Sequence, residues 1–155
     1  TIAVNRASAS DVKYTDLVTM YSKMLMGGSY IWVASQSIIP KLMNITDGQG
    51  RLIWQPNAAQ GLTNTIFGAP VIFNERSPQL NSKGDLALID ASKYLIKDGA
   101  PLAISASEHV KFTQNRTVIK AFWSVDGQPW MKDKLTQENG SYQVSPFVVL
   151  DVVSG

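Results

Sequence analysis

His109 is the one histidine of the sequence, and in SASEHVKF it stands beside Ser107 and Glu108, the three residue types of an acyl-transfer triad. A serine nucleophile needs a base within hydrogen-bond reach and an acid behind that base. Neighbours on a strand point to opposite faces, so these three do not converge by themselves, and catalysis is not expected there. One histidine and no cysteine leave no multi-histidine or thiolate metal centre and no thiol nucleophile. The carboxylates Asp85, Asp90, Asp98, Asp126 and Asp151 occur singly, mostly at turns where Asp commonly satisfies backbone groups, so no paired acid/base site stands out. Glycine spacing makes neither GxxxxGK(S/T) nor GxGxxG, and no GxSxG elbow exists. DGQG has a Gly pair, but no helix start follows it to hold phosphate. The expectation is a chain with no catalytic residue, no cofactor and no metal.

What remains is binding by contact. Trp32, Trp54, Trp123 and Trp130 could form an aromatic platform for a sugar or a single-stranded nucleic acid. Trp32 and Trp123 lie inside apolar runs and are expected in the core, whereas Trp54 and Trp130 stand beside turns and can face a partner. Basic residues do not interleave with them as a nucleic-acid groove requires. The stretch DGQGRLIWQPN, Asp47 to Asn57, concentrates the question: Asp47, Gly48 and Gly50 supply a tight turn, and Arg51, Leu52, Ile53, Trp54 and Gln55 follow. Either this hairpin meets a partner at an edge, or Leu52 and Trp54 alternate inward into the chain's own core.

Several elements are expected to position these residues. In YTDLVTMYSKMLMGG, Leu17, Met20, Tyr21, Met24 and Leu25 fall on one helical face. Thr15 can cap that helix, Asp16 favours its positive end, and Gly27 with Gly28 ends it. YIWVA, residues 30 to 34, reads as a strand buried on both faces. SQSIIPKLM reads as a short helix capped by Ser37 rather than Ser35, which puts Pro40 in the first turn. GAPVIFN is an apolar strand, residues 75 to 85 an exposed loop, and LALID and YLIKDG two short strands. PLAIS, HVKFTQ, TVIKAFWSV with a DGQP turn, and YQVSPFVVLDV complete a mostly β second half. In the third of these, Ile119, Ala121, Trp123 and Val125 share one face. Helices early and strands late give an α+β order rather than repeated βαβ units.

The whole chain sets outer bounds. At 155 residues with 45% hydrophobic content it is one domain, or two lobes, with enough apolar material for a core. Fourteen Lys and Arg against twelve Asp and Glu give +2, scattered along the sequence with no basic tail or acidic block. No signal peptide and no membrane-spanning run are seen, so a soluble, intracellular protein is expected. Asn44, Asn115 and Asn139 head Asn-x-Ser/Thr triplets, which mean glycosylation only in a secreted chain. The chain opens on Thr1, as though something upstream has been removed.

From Tyr14 onward the order of segments resembles a known family. YTDLVTMYSKML is followed by YIWVASQSIIPKLMNITDGQGRLIWQP, TIFGAPVIFNERSP, DLALIDASKYLIKDG and SPFVVLDV. Together, in this order, they are similar to the C-terminal half of tailed-phage major capsid proteins of the HK97-like fold. The resemblance implies an α+β capsid fold lacking the N-terminal arm, the E-loop and the spine helix that the family places upstream. It implies that residues 11–98 form the A-domain at a capsomer centre, with 1–10 as a strand and linker of the P-domain and 99–155 mostly its strands. Residues 47–55 would then meet their copies around a five-fold or six-fold axis, where a hairpin carrying Arg51, Leu52, Ile53 and Trp54 can be buried. Some members lock the shell through Lys-Asn isopeptide bonds beside a buried carboxylate. Asn115 stands in the corresponding strand, positions 116–125 contain no Asp or Glu, and noncovalent assembly is expected. The implied partners are further copies, in pentamers and hexamers of the full-length protein, with scaffold, portal and maturation protease beside them. The genome is enclosed without sequence-specific binding, no membrane is involved, and the place of action is the virion capsid after assembly in host cytoplasm. The alternatives are an encapsulin-like compartment shell and an aromatic binding module built on Trp54 and Trp130.

Overall fold

The computed structural model describes residues 1–46, 49–52 and 65–153. The chain divides into two compact units, Thr1–Lys93 with Met131–Gly155, and Tyr94–Trp130. The first is built on a mixed sheet of six strands: β1 (Ile2–Asn5), β2 (Tyr30–Ser35), β3 (Thr65–Ile66), β4 (Ala69–Asn74), β5 (Leu86–Asp90) and β10 (Phe147–Asp151). Their spatial order is β1-β10-β5-β2-β4-β3. β1 runs parallel to β10 and β2 parallel to β4, and the other pairs are antiparallel.

Register explains where the core sits. Paired residues share a face of the sheet, and the ladder joins Val4 to Leu150, Ile2 to Val148, Val148 to Leu88, Leu88 to Trp32 and Trp32 to Val71. All of these are buried. Against them lie Leu17, Met20 and Met24 from α1 (Tyr14–Ser22) and its extension, and Ile38 and Leu42 from around α2 (Ile39–Met43). Each such aliphatic side chain contributes roughly 1.5–3 kcal/mol on burial. Trp32 is fully buried, as its apolar strand predicts, and its indole N–H donates to Ile66 O at 3.0 Å. YIWVA is not buried on both faces: Ile31 and Val33, on the other face, are half-buried.

Local chemistry shifts several boundaries. α1 stops at Ser22, before the glycines, because Leu25 N–H and Ser145 N–H exchange bonds with Ser145 O and Lys23 O and draw the chain into a bridge between Met24 and Ser145. Its N-cap is Lys13 rather than Thr15, and the Asp16 carboxylate accepts from the backbone N–H of Lys13 and of Ala7. Ser35, not Ser37, caps the next turn, a 3-10 turn over Gln36–Ile38 that runs into α2 with Pro40 in its first turn. The Ser37 hydroxyl instead accepts from Leu80 N–H. Between β3 and β4, Phe67 (φ 50°) and Gly68 (φ 78°) are both left-handed, the pattern of a type I′ turn. An aromatic residue is costly there, and Phe67 is held by rings: Tyr14 at 5.9 Å and Tyr21 at 5.4 Å between centroids.

The second unit is one long antiparallel pair, β6 (Tyr94–Ser107) and β7 (Val118–Pro129). YLIKDG and PLAIS are therefore a single strand with two register shifts. DGQP is no turn: Asp126 pairs with Lys97 and Gly127 with Ile96 inside the ladder. HVKFTQ is no strand either, but part of the connection, with a 3-10 turn at Phe112–Gln114. A small pair, β8 (Leu135–Thr136) with β9 (Gln143–Val144), belongs to the first unit.

The grouping expected from the sequence, 1–10 with 99–155 apart from 11–98, differs from this partition. β1 and β10 complete the same sheet as β2, β4 and β5, because Ile2, Val4, Val148 and Leu150 find their apolar partners there, and position 98/99 falls inside β6.

Candidate subunit interface

Of the eight residues singled out in the hairpin, Gly50, Arg51 and Leu52 are described, while Asp47, Gly48, Ile53, Trp54 and Gln55 lie outside the described residues. Thr46 and Leu52 form an antiparallel bridge, so the chain does reverse between them, and Gly50 has the positive φ (79°) that such a turn asks of a glycine. Gly50 and Arg51 are exposed, and Leu52 is 48% exposed, so Leu52 does not enter the core as the inward alternative requires.

A larger apolar surface lies on the second unit. Following the ladder of β6 with β7, one face carries Ile96, Ile104 and Ala106 from β6 and Ile119, Ala121, Trp123 and Val125 from β7, with Asp98 opposite Val125 as its charged member. The opposite face is mixed, with Lys97, Ser105, Lys120, Ser124 and Asp126 beside Leu95, Ala103, Val118 and Phe122. Ile96 and Ile119 are each 71% exposed, and Ile104 is exposed as well. Trp123, expected in the core, is 58% exposed: its strand belongs to a two-stranded sheet, and two strands alone bury little. Trp130 is exposed, as its place beside a turn suggests. The Ile119-to-Val125 stripe was legible from alternation. Its other half on β6 was not, because the register shifts between Asp98 and Ala103 break the period of two.

Among the described residues no reactive constellation accompanies these surfaces. His109 and Glu108 are exposed in the connection between β6 and β7. Asn115 (φ 50°) is in the same connection, outside any strand, and lines a shallow pocket with Glu108, Arg116 and Thr117. Glu108 thus stands near the asparagine although 116–125 lacks a carboxylate, but it is exposed rather than buried. Among the described residues no group of three or more His, Cys, Asp or Glu could hold a metal ion. No helix among them is long and apolar enough to cross a membrane.

Sequence reasoning missed one buried polar centre. The Arg6 guanidinium, in the stretch 1–10 expected to be strand and linker, pairs with Asp85, and both side chains are wholly buried. Arg6 also donates to Asp11 O (2.9 Å) and Asp151 O (3.2 Å), and Asn81 N–H donates to Asp85 at 2.8 Å. A salt bridge between residues 79 apart has no local signature. With each guanidinium nitrogen donating to backbone or carboxylate, the cluster is a structural tie rather than a reactive site. Nearby, the Lys83 ammonium at 2.7 Å, then the Val152 N–H, hold the Asp151 carboxyl below its ordinary pKa.

The sequence profile of the phage capsid family matches residues 1–136. A comparison with curated proteins found no match. Two solved structures share the fold: the capsid of an empty GTA particle (TM-score 0.72, 16% identity) and that of a native GTA particle (0.70, 17%), each computed with C5 symmetry. Each similarity covers 98% of this chain and 50% or 49% of the other, so the chain spans about half the length of those capsid chains. Among the described residues the longest helix is the nine-residue α1, so the family's long spine helix has no counterpart among them. A mixed sheet with α1 and α2 on its core face, a long β-hairpin and a profile match over most of the sequence agree, and the chain belongs to the phage capsid family, with the HK97-like capsid fold.

Proposed function

We propose that this chain is part of a structural subunit of an icosahedral phage or prophage capsid, acting through repeated contacts between copies rather than through turnover. The observation that carries the reading is the apolar face of β6 and β7. A sheet face that exposes Ile96, Ile104, Ile119 and Trp123 is a liability on a free monomer and an asset in a shell that covers it. Closed symmetry multiplies a modest contact over many copies, so no single interface has to be strong. In this reading the six-stranded sheet is the core of the A-domain, β6 and β7 belong to the P-domain, and residues 47–55 face the capsomer axis in pentamers and hexamers of the full-length protein. Scaffold, portal and maturation protease are partners of that assembly. The scattered +2 charge suits a wall that encloses a genome without reading its sequence.

Light scattering over a concentration series tests this. The mass of the wild-type chain is expected to rise with concentration, and Ile96→Lys with Ile119→Lys to abolish the rise while the circular dichroism of the sheet is kept. A monomer at every concentration, with the double variant indistinguishable from it, would remove the support that the apolar face provides. Trp54→Ala in the same series addresses the axis: loss of a discrete ring species supports it, and an unchanged species returns Trp54 to its own subunit.

A further inference from the structure

Asparagine followed by glycine is the dipeptide most open to spontaneous succinimide formation, because the attacking backbone nitrogen belongs to a residue with no side chain to shield it. Asn139-Gly140 is the one such pair in this sequence. The structure then separates it from the other described asparagines. After Asn5, Asn44, Asn81 and Asn115, the nitrogen that would have to attack is already committed: Arg6 N to Asp151 O, Ile45 N to Leu42 O, Ser82 N to Gln79 O and Arg116 N to Lys111 O. The Asn74 side chain is held by Ser77 N–H at 2.7 Å, and that of Asn81 by Ser10 N–H at 3.2 Å. Among the described residues, Gly140 N–H makes no hydrogen bond, and residues 138–141 are all exposed.

The stem below this apex is fixed. Leu135 pairs with Val144 and Thr136 with Gln143, and Gln137 N–H donates to Tyr142 O at 3.0 Å. The Tyr142 hydroxyl bonds the Ser22 hydroxyl at 2.9 Å, and Lys23 Nζ sits 3.8 Å from the centroid of the Tyr142 ring. Gly140 has φ 123°, a conformation that residues with a side chain rarely adopt. The turn is thus an anchored loop with a free, exposed apex, which leaves Asn139 the rotational freedom that ring closure needs.

We propose that Asn139 is a site of spontaneous deamidation and isoaspartate formation. Gly140 N gives up its proton and attacks Asn139 Cγ, forming the new C–N bond, and Nδ2 leaves as ammonia to give a five-membered succinimide. One water then opens the ring at either carbonyl, giving an aspartyl or an isoaspartyl linkage at 139. Ammonia leaves and water enters, with no oxidant, reductant or metal. The ionised product lowers the formal charge by one, from +2 to +1. The isoaspartyl product also adds a methylene to the main chain inside a loop whose stem has two residue pairs, which misaligns β8 against β9.

The test incubates the intact 155-residue chain in mildly alkaline buffer beside a free peptide of sequence 136–143. Isoaspartate is read by enzymatic methyl labelling and peptide mass mapping. Label is expected to accumulate on the peptide containing Asn139, at a rate comparable to the free peptide, ahead of those containing Asn5, Asn44, Asn74, Asn81 or Asn115. Asn139→Gln is expected to lose that label and keep the fold. No label at 139 after the free peptide has converted would overturn the proposal, as would label appearing equally fast at Asn81 or Asn115, or persisting in Asn139→Gln.

Discussion

At the scale of single residues, Arg6 shares its guanidinium among Asp85, Asp11 O and Asp151 O, and so ties the end of edge strand β1 to three chain segments, of which the strand's own four pairs reach only that of Asp151. Removing one partner of a buried pair strands the other charge in a medium that cannot solvate it. Arg6→Met is therefore expected to lower the unfolding free energy by roughly 3–5 kcal/mol, measured by urea denaturation. Arg6→Met with Asp85→Leu should recover part of this loss, since no charge is then left unpaired. A second expectation concerns Asp151, whose pKa is lowered chiefly by Lys83. Because the folded value lies below the unfolded one, the stabilisation is present above the unfolded carboxylate pKa and is lost as pH falls through the folded value. Lys83→Met should move the Asp151 transition up towards the ordinary range in a carboxyl NMR titration; an unmoved transition would assign the shift to backbone donors. Legibility at this scale followed locality. Trp32 in the core and Asp90 accepting from Ser92 at a turn were readable from their neighbours. Arg6 with Asp85 was not, since only the folded sheet brings them together.

At the scale of elements, the passage from α1 to β2 depends on a glycine for space rather than for φ. A Cβ built on Gly28 would lie 1.9 Å from Asp90 Oδ2, and Asp90 is buried and bonded to Ser92 N–H and Oγ. Gly28→Ala is expected to cost about 1–3 kcal/mol through overpacking, seen as a lower urea midpoint with an unchanged slope. Gly27→Ala meets no such atom, and its penalty comes only from φ 96°. These glycines were read as the end of a helix, whereas the helix stops at Ser22 and they serve the entry to β2. Strands lying in the six-stranded core were legible because burial imposes an apolar pattern: β2, β4, β5 and β10 all coincide with apolar runs. β6 and β7 were misdivided because turn chemistry, in DGQP and in KDGAP, competes with the ladder, and register shifts absorb it. A turn-forming dipeptide states what a chain can do locally, and a long partner strand overrode it.

At the scale of the whole molecule, the α+β class and the capsid fold were legible because they rest on the order of many segments, which no single misplaced boundary disturbs. The division into units was not, because it depends on pairings between the two ends of the sequence. Strand β10 stands between β1 and β5. Ile2 has Val148 as its partner, so β1 waits for a strand made 146 residues later. At elongation rates of roughly 5–20 residues per second, a nascent chain passes about 7–30 seconds with β1 unpartnered, and for part of that time one flank of β5 is open. Each ribosome making this protein thus displays a gap one strand wide, and neighbouring nascent chains carry the same gap. Emergence of β10 closes it, which gives the sheet a built-in delay before it is complete.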